Sequence, residues 1–371
     1  MSLPPTPEAR YAELLCDYCL ELAPGDRLYV DTTTLAVPLV REVYRVGLRR
    51  GAHVEVDLGW DGRGRTLLAE ASDEQLAYLP TLRSRAMAEF DAYLAIRAPF
   101  NARAMQDAPA DRAAARAEAM KPVNADYFRR AGTRELRRTL CQYPTQAAAQ
   151  VAGMSLDDYR AFVFAACKLD ADDPRAAWLG VRERQQAVVD RLNEARRVRY
   201  RGPGIDLAFS VAGRTWINSD GQTNMPSGEV YTSPVEDSVE GVVRFDYPAV
   251  YRGHEVEGVT LWVEGGEVVR HEARRGEAFL AETLARPGAR RFGEAAVGTN
   301  YAIDRFTGNI LFDEKIGGTV HLALGQGYPQ AGGRNESSVH WDLIAGMRDG
   351  GEIELDGEVV YRGGRFLAFA L

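Results

Sequence analysis

Lysine is nearly absent from this chain: Lys121, Lys168 and Lys315 are the only three among 45 basic residues, and the rest are arginine. Arginine in place of lysine is not by itself a thermal signature. Cysteine is also scarce. Four thiols in 371 residues do not read as a disulfide framework. Cys16 and Cys19 are spaced CxxC, but they sit in the helical pattern YAELLCDYCLELA with no second pair, so buried thiols are expected rather than a zinc ribbon. No apolar run reaches the ~20 residues of a membrane span. A formal net charge of -8 with no basic cluster argues against nucleic acid as a partner. No GxxxxGK[ST] occurs, and the first strand-to-helix turn, VDTTTLAVP, has no glycine, which speaks against a nucleotide site. The stretch MSLPPTPEARYAELL has no basic segment followed by an apolar one, so it does not read as a secretory signal and a cytoplasmic protein is expected.

What is present is ordinary for a soluble globular protein of two domains: 46% apolar and 26% charged residues. Residues 7 to 23 pattern as a helix ending at Pro24-Gly25. RLYVDTT reads as a buried strand, VPLVREVYRVGLRRG as a helix closed by Gly51, and HVEVDLGW as a second strand. That βαβ unit predicts a parallel sheet. Residues 73 to 89 read as a helix despite Pro80. AYLAIRAP is a further strand, ADRAAARAEAMKPV a helix stopped by Pro122, and RELRRTLCQYPT another strand. Ser155 caps a helix, and after Asp173-Pro174 a long helix, AWLGVRERQQAVVDRLNEA, runs to about Ala195. From Arg197 the texture changes to short strands joined by glycine turns, interrupted by the helical GEAFLAETLARPG. The expectation is an α/β domain with a parallel sheet over residues 1–196 and a strand-rich, mostly antiparallel α+β domain over 197–371.

Asp313 to Asp342, DEKIGGTVHLALGQGYPQAGGRNESSVHWD, holds two of the five histidines. On a strand, residues i and i+2 project from one face, about 7 Å apart. His340 and Asp342 therefore share a face, with Trp341 and Leu343 on the other. His321 points away from Val320 and Leu322. Two strands that each offer imidazole or carboxylate on one face can build a shared metal site, suited to Zn, Co or Mn rather than Ca. His53, His254 and His271 lie at strand starts or in charged turns and suggest no role.

Two histidines and one aspartate are too few for a two-metal centre, which directs attention to carboxylates at glycine-bounded strand ends. Glu229 follows Ser227-Gly228, where backbone can approach closely. Glu294 stands in RRFGEAAVG. Glu314 in ILFDEKIGG reads as the end of an apolar strand. By its own context each of these reads as a solvated turn carboxylate.

The segments NMPSGEVYTSPVEDSVEGVV, FGEAAVGTN, NILFDEKIGGTVHLALGQGYP and SSVHWDLI, in this order, resemble peptidase family M29, the thermophilic metalloaminopeptidases. The resemblance is strong over residues 197 to 371 and looser before them, in element order and in AGMSLDDYRAFVFAAC. It implies metal ligation by Glu229, Glu294, His321, Tyr328, His340 and Asp342, with Glu314 as general base or extra ligand. Tyr328 rests on the resemblance alone, since GYP otherwise reads as a turn. The implied cofactor is two divalent ions per chain (Zn, Co or Mn), which lower the pKa of bound water towards ~7. The implied activity is release of N-terminal residues from short peptides with a free α-amine, by a homodimer whose subunits enclose the sites. The same ligands could serve a dinuclear hydrolase of other amides or esters, or persist in a non-catalytic peptide-binding homologue.

Overall fold

The protein is described by a computed structural model covering residues 6–368. The first five residues, part of the segment read as lacking a secretory signal, lie outside it. The described chain forms two compact units, residues 6–175 with 221–226, and residues 176–220 with 227–368.

The first unit is organised on a five-stranded sheet in the order His53–Gly59, Arg27–Thr33, Ala92–Arg97, Arg137–Gln142, Asn224–Met225. Every pairing in it is parallel, as the βαβ pattern requires. The crossover helix Val37–Arg49 buries Leu39, Val40, Val43 and Val46, one stripe at helical spacing. Tyr29 and Tyr93 of adjacent strands pack with Met87, Phe90, Val123 and Leu136.

Two prolines act differently from the sequence expectation. The stretch 73 to 89 is two helices, Asp73–Ala77 and Thr81–Glu89, because Pro80 cannot donate a helical hydrogen bond and stands as the cap of the second. Ser72 and Gln75 close the first with a reciprocal capping box. Pro122 does not stop a helix but lies in the first turn of Lys121–Gly132, where its missing N–H costs nothing. The preceding helix, Ala110–Ala119, ends on its own. The opening helix spans Pro7–Leu14 and widens into a π turn at Leu15–Cys19. All four cysteines are buried and outside any disulfide, and no described helix is long and apolar enough to cross a membrane.

The second unit holds two large antiparallel sheets and a two-stranded one, Ala249–Tyr251 with His254–Val256. One has eight strands, running from Glu267–Glu272 at one edge to Arg365–Phe366 at the other. The second has five, in the order His340–Gly346, Thr319–Gly325, Phe292–Gly298, Glu229–Thr232, Ile217–Ser219. One hydrophobic core joins them. Val198, Tyr200, Leu207, Phe209, Val243 and Leu261 of the larger sheet cluster with Val230, Val297, Val320, Leu322, Leu324, Trp341 and Leu343 of the smaller. Period-2 alternation therefore commits one face of the five-stranded sheet to this core and frees the other.

Candidate metal centre

The freed face carries the site, and register decides what meets on it. His321 pairs with Ala296 on one side and Ile344 on the other, while Ala323 pairs with Glu294 and Asp342. Glu229 stands opposite Gly298. Diagonal neighbours on a sheet face lie ~7–8 Å apart, within reach of long side chains. Ala296 and Ala323 offer only a methyl, so the long side chains around them lean over a low floor. A bulge between Phe292 and Glu294 shifts the ladder where Glu294 enters. Gly293 belongs there because a Cβ would stand 2.1 Å from the carbonyl oxygen of Gln326.

The structure brings all seven sequence-assigned residues together. Among the described residues, two groups of three can each converge on a cation: Glu229, Glu314 and His321, and Glu294, His340 and Asp342. Glu294 spans them. Its Oε1 lies 3.6 Å from His321 Nε2 and its Oε2 3.4 Å from His340 Nε2. Glu229 Oε2 is 3.6 Å from His321 Nε2, and Asp342 Oδ1 is 3.7 Å from His340 Nε2. Tyr328 brings its hydroxyl within 3.2 Å of His340 Nε2, with its ring 5.2 Å from that of Tyr231.

Each side chain is positioned locally. Glu229 starts its strand after Gly228, whose φ of +113° and close approach to Asn300 exclude a side chain: a Cβ would lie 2.8 Å from Asn300 Cβ. His340 Nδ1 is 3.1 Å from the main-chain oxygen of Gln326. A carbonyl only accepts, so Nδ1 carries a hydrogen and Nε2 is the ring nitrogen that faces the carboxylates. Glu314 departs from expectation. It does not end a strand but follows the single helical turn Ile310–Asp313, which Asn309 caps by accepting from the N–H of Leu311. Asp313 anchors that turn, accepting from the N–H and hydroxyl of Thr307 at 2.7 and 2.8 Å.

Sequence reasoning missed Lys315 at this site. Its side chain is fully buried, ion-paired to Glu314 and 3.1 Å from Glu229 Oε1. The one signal was its rarity, a lysine kept in a chain that uses arginine almost everywhere.

Charge explains the titration of the cluster. Four carboxylates, Glu229, Glu294, Glu314 and Asp342, are opposed by a single ammonium. Burial alone would push both imidazoles down, but the surrounding carboxylates lift His321 to about 9 and His340 to about 10. Burial alone would raise Glu294, but the two imidazoles bring it down to about 2. Burial dominates at Glu229, raised to about 7 against the pull of Lys315, and at Asp342, raised to about 6. Burial also carries the Tyr328 hydroxyl well above the ordinary phenol range.

These residues fit divalent ions. Glu229 Oε2, Asp342 Oδ1 and both ring nitrogens of His321 are buried with no hydrogen-bond partner. Buried polar atoms without partners are rare and point to an ion or a water. Imidazole with carboxylate is a donor set for Zn, Co or Mn.

The chain is similar to known proteins over nearly its whole length. A family model described as thermophilic metalloprotease (M29) matches residues 7–366. The chain is 31% identical over 412 aligned residues to aminopeptidase 2 of Geobacillus stearothermophilus, covering 98% of each chain. It is 30% identical to aminopeptidase T of Thermus thermophilus, over 94% of this chain and 93% of that one. The solved structure of wild-type AmpT from Thermus thermophilus superposes with a TM-score of 0.83 at 27% identity, covering 97% of this chain and 99% of the other.

Proposed function

This chain belongs to family M29, the thermophilic metalloproteases, and from that premise we propose that it is a metal-dependent aminopeptidase with a dinuclear centre, releasing N-terminal residues from short peptides. The observation that carries the dinuclear reading is Glu294, which offers one oxygen to each histidine between two carboxylate–imidazole groups. Glu229, His321 and Glu294 would hold one ion, and Glu294, His340, Asp342 and Tyr328 the other, with Glu294 as the bridge. Zn, Co and Mn all suit these donors. When bound, the pair supplies Lewis acidity at the scissile carbonyl and brings the pKa of water towards ~7.

The chain's own groups do the rest. Glu314 is the general base in this reading. Its side chain is the more exposed of the two carboxylates in its group, at 17% against 7% for Glu229, so water reaches it. It takes the proton of the attacking water and passes it to the departing amine. His340, held through Nδ1 by the Gln326 carbonyl, keeps its orientation while charge develops beside it. All these residues lie within 197–371, and we assign residues 1–196 a scaffold role. We further propose a cytoplasmic homodimer.

The test is hydrolysis of leucine p-nitroanilide and its N-acetyl derivative by chelator-stripped protein, then by protein refilled with Co or Zn. Metal-dependent cleavage of the free-amine substrate alone is expected. Equal cleavage of both would replace this reading with a general amidase.

A further inference from the structure

Tyr328 aside, the two three-residue groups of the site are matched in donors and unmatched in charge. Each has two carboxylates and one imidazole: Glu229, Glu314 and His321 on one side, Glu294, Asp342 and His340 on the other. Only the first has a cation built in. The Lys315 ammonium is 0% exposed and lies against both of its carboxylates, 3.1 Å from Glu229 Oε1.

Lys315 is not free to leave. Its N–H donates to the carbonyl of Phe312 at 3.0 Å, and its carbonyl accepts from the N–H of Asn300 at 3.0 Å, which fixes the backbone behind the side chain. It also divides Glu229: Oε1 is engaged by the ammonium, whereas Oε2 is buried, unpartnered and turned towards His321. One lone-pair-bearing oxygen of Glu229, not two, is thus left for an ion. A fixed positive charge weakens the hold of neighbouring carboxylates on a second cation, and in a buried site little solvent screens it.

We propose that Lys315 is a positioning residue that makes the two metal positions unequal: the position at Glu229 and His321, beside Glu314, binds its ion more weakly than the position at Glu294, His340 and Asp342, and Lys315 sets the gap. This rests on the dinuclear reading above. In it, the ion beside the proposed base Glu314 is the exchangeable one and the other is resident.

The experiment is titration of chelator-stripped full-length protein with Co2+, followed by calorimetry and by visible absorption of bound cobalt. Wild-type protein, Lys315→Gln and Lys315→Met are compared, with thermal unfolding as the check on folding. Glutamine keeps a donor for Glu229 without the charge. Methionine removes both.

Wild-type protein is expected to take up two ions in separate steps, at least tenfold apart in affinity. In Lys315→Gln the weaker step is expected to tighten at least tenfold and the tighter step to stay within about twofold. A residue with a merely structural role would weaken both steps together. Two equal steps in the wild type would overturn the inference with no variant needed, as would a gap that survives, or widens, in folded variants. Uptake of a single ion per chain would overturn the dinuclear reading and this inference with it, whereas two ions with equal steps would overturn this inference alone.

Discussion

Asp313 and Thr307 are joined twice: the Asp313 carboxylate accepts from both the N–H and the hydroxyl of Thr307, at 2.7 and 2.8 Å, in a fully enclosed position. This pair holds the one-turn helix that delivers Glu314 and Lys315, so a residue that touches no substrate sets where two reactive groups stand. Thr307→Val keeps the shape and removes one donor from a buried carboxylate, a loss of about 1–3 kcal/mol. Chemical denaturation should show a lower midpoint with an unchanged slope. No change in midpoint would show that the second hydrogen bond contributes nothing.

Glu294 faces both histidines, and its removal should be felt on both sides. In Glu294→Gln, bound metal measured after dialysis is expected to fall on both positions, and kcat/KM by at least ~100-fold. Glu229→Gln, by contrast, should retain one ion per chain. If Glu294→Gln keeps a full complement of metal, the bridging assignment is wrong.

Tyr328→Phe separates the hydroxyl from the ring. The ring still packs on Tyr231 and His340, so the unfolding temperature should move by no more than a degree or two. Activity or metal affinity should drop roughly 10–100-fold, because the group beside His340 Nε2 is gone. Undiminished activity and affinity would remove Tyr328 from the ligand set.

Chelation should abolish activity without unfolding the protein. The core between the two sheets lies on the face away from the ligands, so far-UV circular dichroism of the stripped protein should be unchanged. Its unfolding temperature should nonetheless fall, since an ion that binds only the folded chain stabilises it by mass action. Loss of secondary structure on chelation would mean that the sheet itself needs the metal.

The residues that were legible in the sequence are those whose position follows from strand periodicity. His340 with Asp342, and His321 between Val320 and Leu322, could be placed on a face because the period of a strand is two. Glu314 was misread because the apolar run ILFD looks like a strand, and only the Asn309 cap turns it into a helical turn. Tyr328 follows its strand in a GYP turn, where nothing local distinguishes a ligand from a surface tyrosine. Lys315 could not be placed at all, since it becomes a site residue only when Glu229, 86 positions earlier, arrives beside it. The low floor of Ala296 and Ala323 belongs to register, which no single strand reveals. In the first unit, Pro80 was read through and Pro122 was read as a stop, and each proved to begin a helix.

The alternation along His340–Gly346 and Thr319–Gly325 carries one more consequence. Because donors and core residues interleave one by one, the chain cannot slip by a single position without exchanging them wholesale. A slipped strand would press Asp342 and His321 into oil and turn Trp341 and Leu322 outward. Errors of assembly therefore cannot produce a sound fold with a faulty centre, or a sound centre on a faulty fold. In these two strands the capacity to hold metal doubles as an inspection of whether the sheet was put together correctly.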